Sequence, residues 1–251
     1  AYVRRQRQMC IRDRIVIVTL NRPESLNALS PDLFVELNTS IQEISNQTDS
    51  VACVILRGAG RCFSAGNDLK AVGQGIKAKE KFFQAKTIDL LENLPQPTIA
   101  SVHGHCLTGA LELALACDLM VTSESANLSD THGKWGMVPG WGMSVRLPKR
   151  VGLLKAKEMM FTGLSVDGVQ AVDIGLANKC VSDDNLLSET VELARKIVKN
   201  SWHTLFADKQ LFINNSNQFH QDSLIFERNQ SAKVAADTVS YTHLRAHETY
   251  V

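Results

Sequence analysis

The chain has 251 residues, of which 44% are hydrophobic and 21% are charged, and its formal net charge is +1. This composition is typical of a globular protein with a sizeable core, and it argues against a disordered or membrane-spanning chain. A net charge so close to zero provides no overall field that would attract nucleic acid or an anionic membrane, so we expect neither partner.

The cysteines and the hydropathy pattern both favour a cytoplasmic location. The six cysteines form no C-x-x-C pair, and most lie in apolar runs, which is typical of reduced core thiols. No apolar run approaches the roughly 20 residues that cross a bilayer, and no signal-peptide segment opens the chain.

The two ends differ in composition from the rest of the chain. Residues 1–14 are rich in arginine and lack lysine, whereas lysine outnumbers arginine about two to one between Ile15 and Asp237. Residues 238–251 also lack lysine and show no helical period. We interpret 1–14 and 238–251 as translated sequencing-adapter or other non-native sequence, with a basic arm and a frayed tail as the alternative.

The first elements are a strand and an amphipathic helix. Ile15–Leu20 is a β-branched run that ends at a turn, which predicts a buried strand. Ser30 and Pro31 supply an N-cap and a first helical residue, and they precede apolar residues at helical spacing: Leu33, Phe34, Leu37, Ile41 and Ile44. Val51–Leu56 predicts a second buried strand.

The middle of the chain continues this alternation. We predict a helix over about 76–93, a strand at Thr98–Val102 and a loop at His103–Thr108. Gly109–Cys117 is almost wholly apolar, which predicts a short buried helix. Another strand is predicted at Leu119–Thr122.

From about Ser182 onward the pattern is helical. Repeated strand–helix units followed by helices predict an α/β fold, with a core over 15–181 and a helical C-terminal part over 182–237.

Two segments are suited to presenting free backbone N–H groups. Small residues in Phe63–Leu69 follow a strand end and let the main chain approach a ligand closely. Small residues in Thr108–Ala110 open a buried helix whose first N–H groups lack helical partners. If the two segments meet, they form an oxyanion hole; otherwise both are simply turns.

Four blocks in the chain together resemble the crotonases, the enoyl-CoA hydratase/isomerase superfamily. The blocks are Asn21–Pro23 with Leu26–Leu29, Phe63–Leu69, Gly104–Asp118, and Pro139–Gly140 with Gly142 and Arg146–Leu147. The resemblance implies a crotonase-like spiral of ββα units and a homotrimer or homohexamer, with the helical C-terminal part serving trimerisation. It also implies an acyl-CoA thioester substrate, so that coenzyme A belongs to the substrate and no separate cofactor is needed.

The resemblance also assigns site residues. The two oxyanion donors fall on the backbone N–H groups of Asn67 and Gly109, and the first hydratase glutamate falls on Glu112. Substrate-binding positions are predicted at Ala65, Asp68, Leu69, Lys70, Trp135, Pro139, Gly140 and Trp141. The aromatic residues among them are expected either to wall an acyl pocket or to serve packing. Lys70 and Arg57 are candidate partners for coenzyme A phosphates.

The chain departs from the family at the second hydratase glutamate, where it has His132. Histidine exchanges a proton near neutral pH, but it lacks the paired acceptors with which a carboxylate holds water. An isomerase, which needs the second carboxylate, is therefore less favoured, and Asp130 could replace that carboxylate only if it pointed inward. The alternative for His132 itself is a hydrogen-bonded core histidine.

Other motif classes are missing. His103–Cys106 crowds metal-ligand types together without a second ligand pair at zinc-like spacing, so we predict no metal site. The chain has no G-x-S-x-G elbow and no phosphate-binding P-loop. We predict an enoyl-CoA hydratase-like lyase of fatty acid metabolism, with another enolate reaction (isomerisation or decarboxylation) or non-catalytic acyl-CoA binding as alternatives.

Overall fold

A computed structural model describes residues 7–74, 80–202 and 204–213, together with 221, 225, 228 and 229. In these residues the strands are β1 (Arg7–Arg12), β2 (Ile15–Leu20), β3 (Cys53–Gly58), β4 (Thr98–Val102), β5 (His105–Leu107), β6 (Leu119–Ser123), β7 (Asn127–Ser129), β8 (Ser165–Asp167) and β9 (Lys179–Val181). The α-helices are α1 (Pro31–Ser45), α2 (Leu69–Gly73), α3 (Phe83–Glu92), α4 (Gly109–Leu115), α5 (Met143–Thr162), α6 (Gly168–Asp173) and α7 (Leu186–Val198). Residues 204–213 are also helical.

The strands form two sheets. The main sheet has the order β1-β2-β3-β4-β6-β9, and all its neighbours are parallel except the antiparallel pair β1–β2. A smaller sheet has the order β5-β7-β8. Helices therefore connect the parallel strands, as such strands require.

Both faces of the main sheet are covered. In β2, Val16 and Val18 belong to the large core that also contains α1, α3 and α4, whereas Ile15 packs with Leu186 and Ala194 of α7 on the opposite face. This alternation follows from the two-residue period of a strand. The mixed α/β fold predicted from the sequence is confirmed.

Several predicted elements are observed where they were expected. The strands Ile15–Leu20 and Thr98–Val102 match β2 and β4. The Ser30 side chain caps α1 by accepting from Leu33 N at 3.2 Å. All seven residues of α4 are buried, as its apolar composition predicts.

Other elements differ from the prediction. A helix was predicted over about 76–93, but α3 begins only at Phe83, and residues 80–82 are not helical. Residues 75–79 lie outside the described part. The predicted loop at His103–Thr108 contains β5, which exists because it pairs with β7. Helices α2, α5 and α6 and strands β1, β7, β8 and β9 were not predicted.

The structure describes only part of the terminal segments for which predictions were made. Arg7–Arg12, set apart on composition, forms β1 beside β2, while its non-native origin stays a prediction. Residues 238–251 lie outside the described part. Helix α7, assigned to the C-terminal part, packs against the main sheet, and a trimerisation role for that part stays a prediction.

The cysteines that the structure describes are free thiols, and Cys53, Cys62, Cys106 and Cys117 are buried. Burial raises the pKa of Cys53 to about 12 and that of Cys117 to about 12. These side chains are therefore unreactive core groups, as their apolar sequence context predicts. Among the described helices, none has the length and hydropathy of a membrane span.

Candidate active site

The two segments with predicted free N–H groups lie side by side. Ser64 N donates to His105 O at 2.9 Å, and Leu107 N donates to Ser64 O at 3.3 Å. Gly66 has a φ of 97°, and a Cβ there would lie 2.6 Å from Leu107 O and 3.6 Å from Gly109 N. Glycine is therefore needed for the Asn67 segment to approach the start of α4 this closely.

The N–H groups of Asn67 and Gly109 are left available by this packing. Leu29 N donates to Gly66 O and Asp68 N donates to Leu29 O. This parallel bridge therefore uses the Gly66 carbonyl and the Asp68 N–H, and not the Asn67 N–H that lies between them in the chain. Gly109 is the first residue of α4, so its N–H has no partner within the helix. In the part of the chain that the structure describes, neither N–H donates to a protein acceptor.

Thr108 fixes the direction from which the chain enters α4. Its backbone has φ 54° and ψ −110°, a combination that β-branched residues rarely adopt. Thr108 N donates to Ser129 O at 2.8 Å, and Thr131 N donates to Thr108 Oγ1 at 3.2 Å. These bonds hold the unusual conformation and tie the start of α4 to the segment after β7.

Glu112 lies one helical turn beyond Gly109, with 1% of its surface exposed. Its Oε1 accepts from Trp141 N at 2.8 Å and from Met143 N at 3.1 Å. Between these two donors, Gly142 has a φ of 116°, which bends the chain around the carboxylate. The hydrogen bonds offset the cost of burying a charged group and leave Oε2 facing another side chain.

That side chain is His132, whose Nε2 lies 3.8 Å from Glu112 Oε2. On the other side of the imidazole, Nδ1 lies 2.6 Å from Asp130 Oδ1, which also accepts from His132 N at 3.1 Å. Asp130 is buried. The structure thus brings together the predicted pair Glu112 and His132, and it adds Asp130 as a third member of an Asp130–His132–Glu112 row.

Trp141 covers the first residue of α4. A Cβ on Gly109 would lie 2.5 Å from Trp141 Cζ3, so the indole rests against the Gly109 backbone. Phe34 also contacts the indole in a T-shaped arrangement, with ring centroids 5.0 Å apart. Trp141 therefore forms a wall next to the Gly109 N–H.

Arg146 supports the Trp141 backbone from behind. Its buried guanidinium donates to Trp141 O at 2.6 Å, to Asp89 Oδ1 at 2.9 Å and to Glu92 Oε2 at 2.7 Å. Arg146, from the sequence block Arg146–Leu147, thus holds the Trp141 backbone in place at the site. Trp135, Pro139 and Gly140 are half-buried in the segment between His132 and Trp141, and their contact with substrate stays a prediction.

A cavity of about 570 Å³ is lined by three of the predicted substrate-binding residues, the first of which, Asp68, follows Asn67 in the chain. Asp68, Leu69 and Lys70 line it together with Arg22 and Arg61, which sequence reasoning did not single out as site residues. Arg22 had a detectable signal, because it lies in the first block of the family resemblance.

Two other predicted binding residues lie apart from the described lining of that cavity. Ala65 is half-buried, and its N–H donates to Leu26 O at 2.9 Å. The Arg57 guanidinium bonds to Gly58 O, and burial lowers its pKa. Arg61, rather than Arg57, therefore lines this cavity and is placed to contact a ligand bound in it.

The carboxylate of Asp68 is held by Arg22. Arg22 Nη1 donates to Asp68 Oδ2 at 2.8 Å, and Ala71 N donates to Asp68 Oδ1 at 3.1 Å. Burial acts to raise the pKa of Asp68, but the bonds from Arg22 and from backbone N–H groups outweigh it and hold the pKa below its ordinary value. Asp68 therefore carries its negative charge at neutral pH.

Comparison with known proteins assigns the chain to a family. Residues 11–248 match the family model described as Enoyl-CoA hydratase/isomerase. The chain belongs to the enoyl-CoA hydratase/isomerase family. A Bacillus subtilis relative named putative enoyl-CoA hydratase/isomerase YngF is 40% identical over 195 residues, or 75% of this chain and 74% of that protein. The short-chain-enoyl-CoA hydratase of Clostridium acetobutylicum is 36% identical over 192 residues, covering 75% of this chain and 73% of that protein.

Solved structures of the family have the same fold. An enoyl-CoA hydratase from Mycobacterium tuberculosis H37Rv superposes with a TM-score of 0.82 at 31% identity, covering 92% of this chain and 100% of that one. One from Mycobacterium smegmatis gives a TM-score of 0.81 at 32% identity, covering 92% of this chain and 98% of that one. The family resemblance read from the four sequence blocks is confirmed.

Proposed function

We propose that this family member is an enoyl-CoA hydratase-like lyase, which adds water across the C2–C3 double bond of a 2-enoyl-CoA. One observation carries the proposal: the buried Glu112 carboxylate faces His132 Nε2 at 3.8 Å, one helical turn beyond the free N–H of Gly109. The relatives named enoyl-CoA hydratase support the same reaction.

The thioester oxygen is bound by the N–H groups of Asn67 and Gly109. As water adds to C3, the electrons of the C2–C3 double bond move toward the carbonyl, and negative charge develops on this oxygen. Backbone donors already aimed at the oxygen stabilise that enolate without reorganising, and one such donor contributes about 3–4 kcal/mol to the transition state.

Glu112 and His132 each transfer one proton: Glu112 acts on the attacking water and His132 acts on C2. Glu112 accepts a proton from the water whose oxygen bonds to C3, while protonated His132 donates a proton to C2 of the enolate. Transfer of the proton from Glu112 to His132 then restores the starting state. Oε2 of Glu112 is the oxygen that faces His132 Nε2, at 3.8 Å, and we assign it to act on water.

The cavity lined by Asp68 would hold part of the coenzyme A. Its lining carries the cations Arg61 and Lys70, which suit the phosphates of coenzyme A. Arg22 in the same lining is paired with Asp68, and Glu24 and Asp32 are also present there. Coenzyme A is then part of the substrate, and the proposed reaction requires no other cofactor.

The first rival is a different reaction through the same enolate, such as isomerisation or decarboxylation. Isomerisation requires a second carboxylate near the substrate, and Asp130 lies behind His132 instead of beside Glu112. A non-catalytic acyl-CoA-binding protein is the second rival. It predicts binding by calorimetry without turnover of any thioester.

The test is an assay of crotonyl-CoA hydration by the purified protein, in which the loss of the enoyl-thioester absorbance measures the rate. Glu112→Gln should lower kcat by about 10²–10⁴-fold, because the amide cannot accept the proton from water. Glu124→Gln, at an exposed residue that follows β6, is the matched control and should behave as the wild type. Turnover by Glu112→Gln at the wild-type rate would remove Glu112 from the mechanism, and product analysis by mass spectrometry separates hydration from the rival reactions.

Assembly and location complete the proposal. We expect a homotrimer or homohexamer, because large apolar side chains such as Leu154 and Phe161 are more than 80% exposed in the single chain. We also propose a cytoplasmic location. The free buried thiols of the described residues are compatible with a reducing compartment.

A further inference from the structure

We infer that Asp130 is a positioning residue, which fixes the tautomer and direction of His132 so that Nε2 is the nitrogen that exchanges a proton at the site. This inference rests on the proposed function for its catalytic consequence. Its structural part, the tautomer of His132, can be tested without any enzyme assay.

The contact between the two side chains is short and buried. His132 Nδ1 lies 2.6 Å from Asp130 Oδ1. The solvent-exposed fractions of the two residues are 8% for His132 and 1% for Asp130. A carboxylate offers only acceptors, so Nδ1 must carry a proton to make this bond. Nε2 is then the nitrogen that is free to gain or lose a proton in the neutral imidazole, and it is the one that faces Glu112 Oε2.

The backbone around Asp130 keeps this geometry fixed relative to α4. Thr131, between the two residues, donates its N–H to Thr108 Oγ1, and Thr108 N donates to Ser129 O. Thr108 directly precedes Gly109, the proposed oxyanion donor. The imidazole is therefore held to the same piece of chain that presents the thioester-binding N–H.

The alternative role of Asp130 is purely structural. Its Oδ1 also accepts from His132 N at 3.1 Å, which stabilises the start of the 3-10 helix His132–Trp135. Asparagine can make that backbone bond equally well, because its amide oxygen is also an acceptor. It cannot supply the negative charge that stabilises an imidazolium, and its NH₂ group can pair with the wrong tautomer. Asp130→Asn therefore separates the two roles.

The kinetic test is a double-mutant cycle on crotonyl-CoA hydration with Asp130→Asn, His132→Gln and the double variant. We expect Asp130→Asn to lower kcat by about 10²–10⁴-fold with little change in KM; the equivalent Asp-to-Asn change in a catalytic triad, which sets the upper end, costs about 10⁴-fold. In the His132→Gln background the same substitution should cost nothing further, because Asp130 acts only through His132. Equal losses in both backgrounds, or a loss confined to KM, would overturn the inference.

The structural test uses ¹⁵N-histidine-labelled protein at a pH where the imidazole is neutral. The signals of His132 are assigned among the seven histidines by their absence from the His132→Gln spectrum. We expect protonated Nδ1 and unprotonated Nε2 in the wild type, and a mixture of tautomers in Asp130→Asn. Asp183→Asn, at an exposed aspartate, is the control and should leave the His132 signals unchanged. A wild-type His132 protonated on Nε2 refutes the inference whether or not the enzyme hydrates crotonyl-CoA.

If the enzyme does not hydrate crotonyl-CoA but the wild-type NMR result is as expected, the proposed function fails and the Asp130–His132 pairing stands. If hydration is observed and the tautomer is the opposite one, the proposed function stands and the inference fails.

Discussion

Two residues with unusual backbone conformations lie at the candidate site. Thr108 has φ 54° beside the Gly109 donor, and Gly142 has φ 116° between the two N–H groups that bind Glu112. A non-glycine residue in such a conformation costs about 1–3 kcal/mol, so surrounding contacts must hold it. For Thr108 those contacts come from Ser129 and Thr131.

Gly109→Ala should reduce hydration sharply while leaving the fold intact. The new methyl group would lie 2.5 Å from Trp141 Cζ3, so the indole or the start of α4 must move and the N–H loses its alignment. We expect kcat to fall about 10²–10³-fold, the typical cost of losing one oxyanion donor. Steady-state kinetics and circular dichroism would check activity and fold together.

Shortening the tryptophan provides the control for Gly109→Ala. Trp141→Leu removes the atom that collides with the methyl group, so the double variant should recover part of the activity lost in Gly109→Ala relative to Trp141→Leu alone. Full activity in Gly109→Ala would mean that the Gly109 N–H is not a donor to substrate.

Most of the candidate site residues could be found from the sequence, and Asp130 marks the point where such reasoning ends. Asn67, Gly109 and Glu112 lie in family blocks, and His132 is located by its spacing from Glu112, where the family has its second glutamate. Whether Asp130 points inward depends on the turn between β7 and the 3-10 helix, and on the bond that its carboxylate makes to an imidazole two residues away. Residue types alone do not determine that direction.

Among the elements, long buried strands were predictable and short paired strands were not. β2 has six residues and β4 has five, most of them apolar, as expected for strands covered on both faces. β5, β7, β8 and β9 have three residues each, too few to establish a period. They are defined by partners distant in sequence, such as His105 opposite Asn127.

Helix α2 was missed for a related reason, and its cap provides a pH-dependent prediction. The helix has five residues and begins after Asp68, whose carboxylate accepts from Ala71 N and from Arg22. Because the folded-state pKa of Asp68 is lowered, its contribution to stability is present above the unfolded pKa of about 3.9 and is lost as the pH falls through the folded value.

Asp68→Asn should therefore be less stable than the wild type at pH 7, by roughly 1–2 kcal/mol, because the charged partner of Arg22 is removed. The variant should lose less stability than the wild type on acidification below about pH 4, since it has no carboxylate to protonate there. Urea unfolding at several pH values would measure both effects. Asp49→Asn, in an exposed turn, is the control, and an unchanged pH dependence in Asp68→Asn would contradict the assignment.

At the scale of the whole molecule, the second half of helix α5 exposes large apolar side chains. Helix α5 changes direction at Gly152, where φ is 77° and ψ is 160°. Beyond that break, Leu154 and Phe161 are seven residues apart, so they lie on one face of the helix. They are 83% and 81% exposed, and Leu153 and Val169 nearby in the chain are also exposed. A monomer rarely leaves such large side chains in water, which favours burial against another copy of the chain.

Replacing Leu154 and Phe161 together by lysine should weaken self-association, because two like charges would have to be desolvated at the contact. We expect the wild type to sediment as a trimer or hexamer and the double variant to shift to smaller species at the same protein concentration. Val35→Lys, at a partly exposed apolar residue of α1, should leave the assembly unchanged. One chain supplies all of the proposed site residues, Asn67, Gly109, Glu112 and His132. The smaller species should therefore still hydrate crotonyl-CoA at a measurable rate. A wild type that sediments as a monomer, or a double variant with unchanged mass, would show that this face is not the contact between copies.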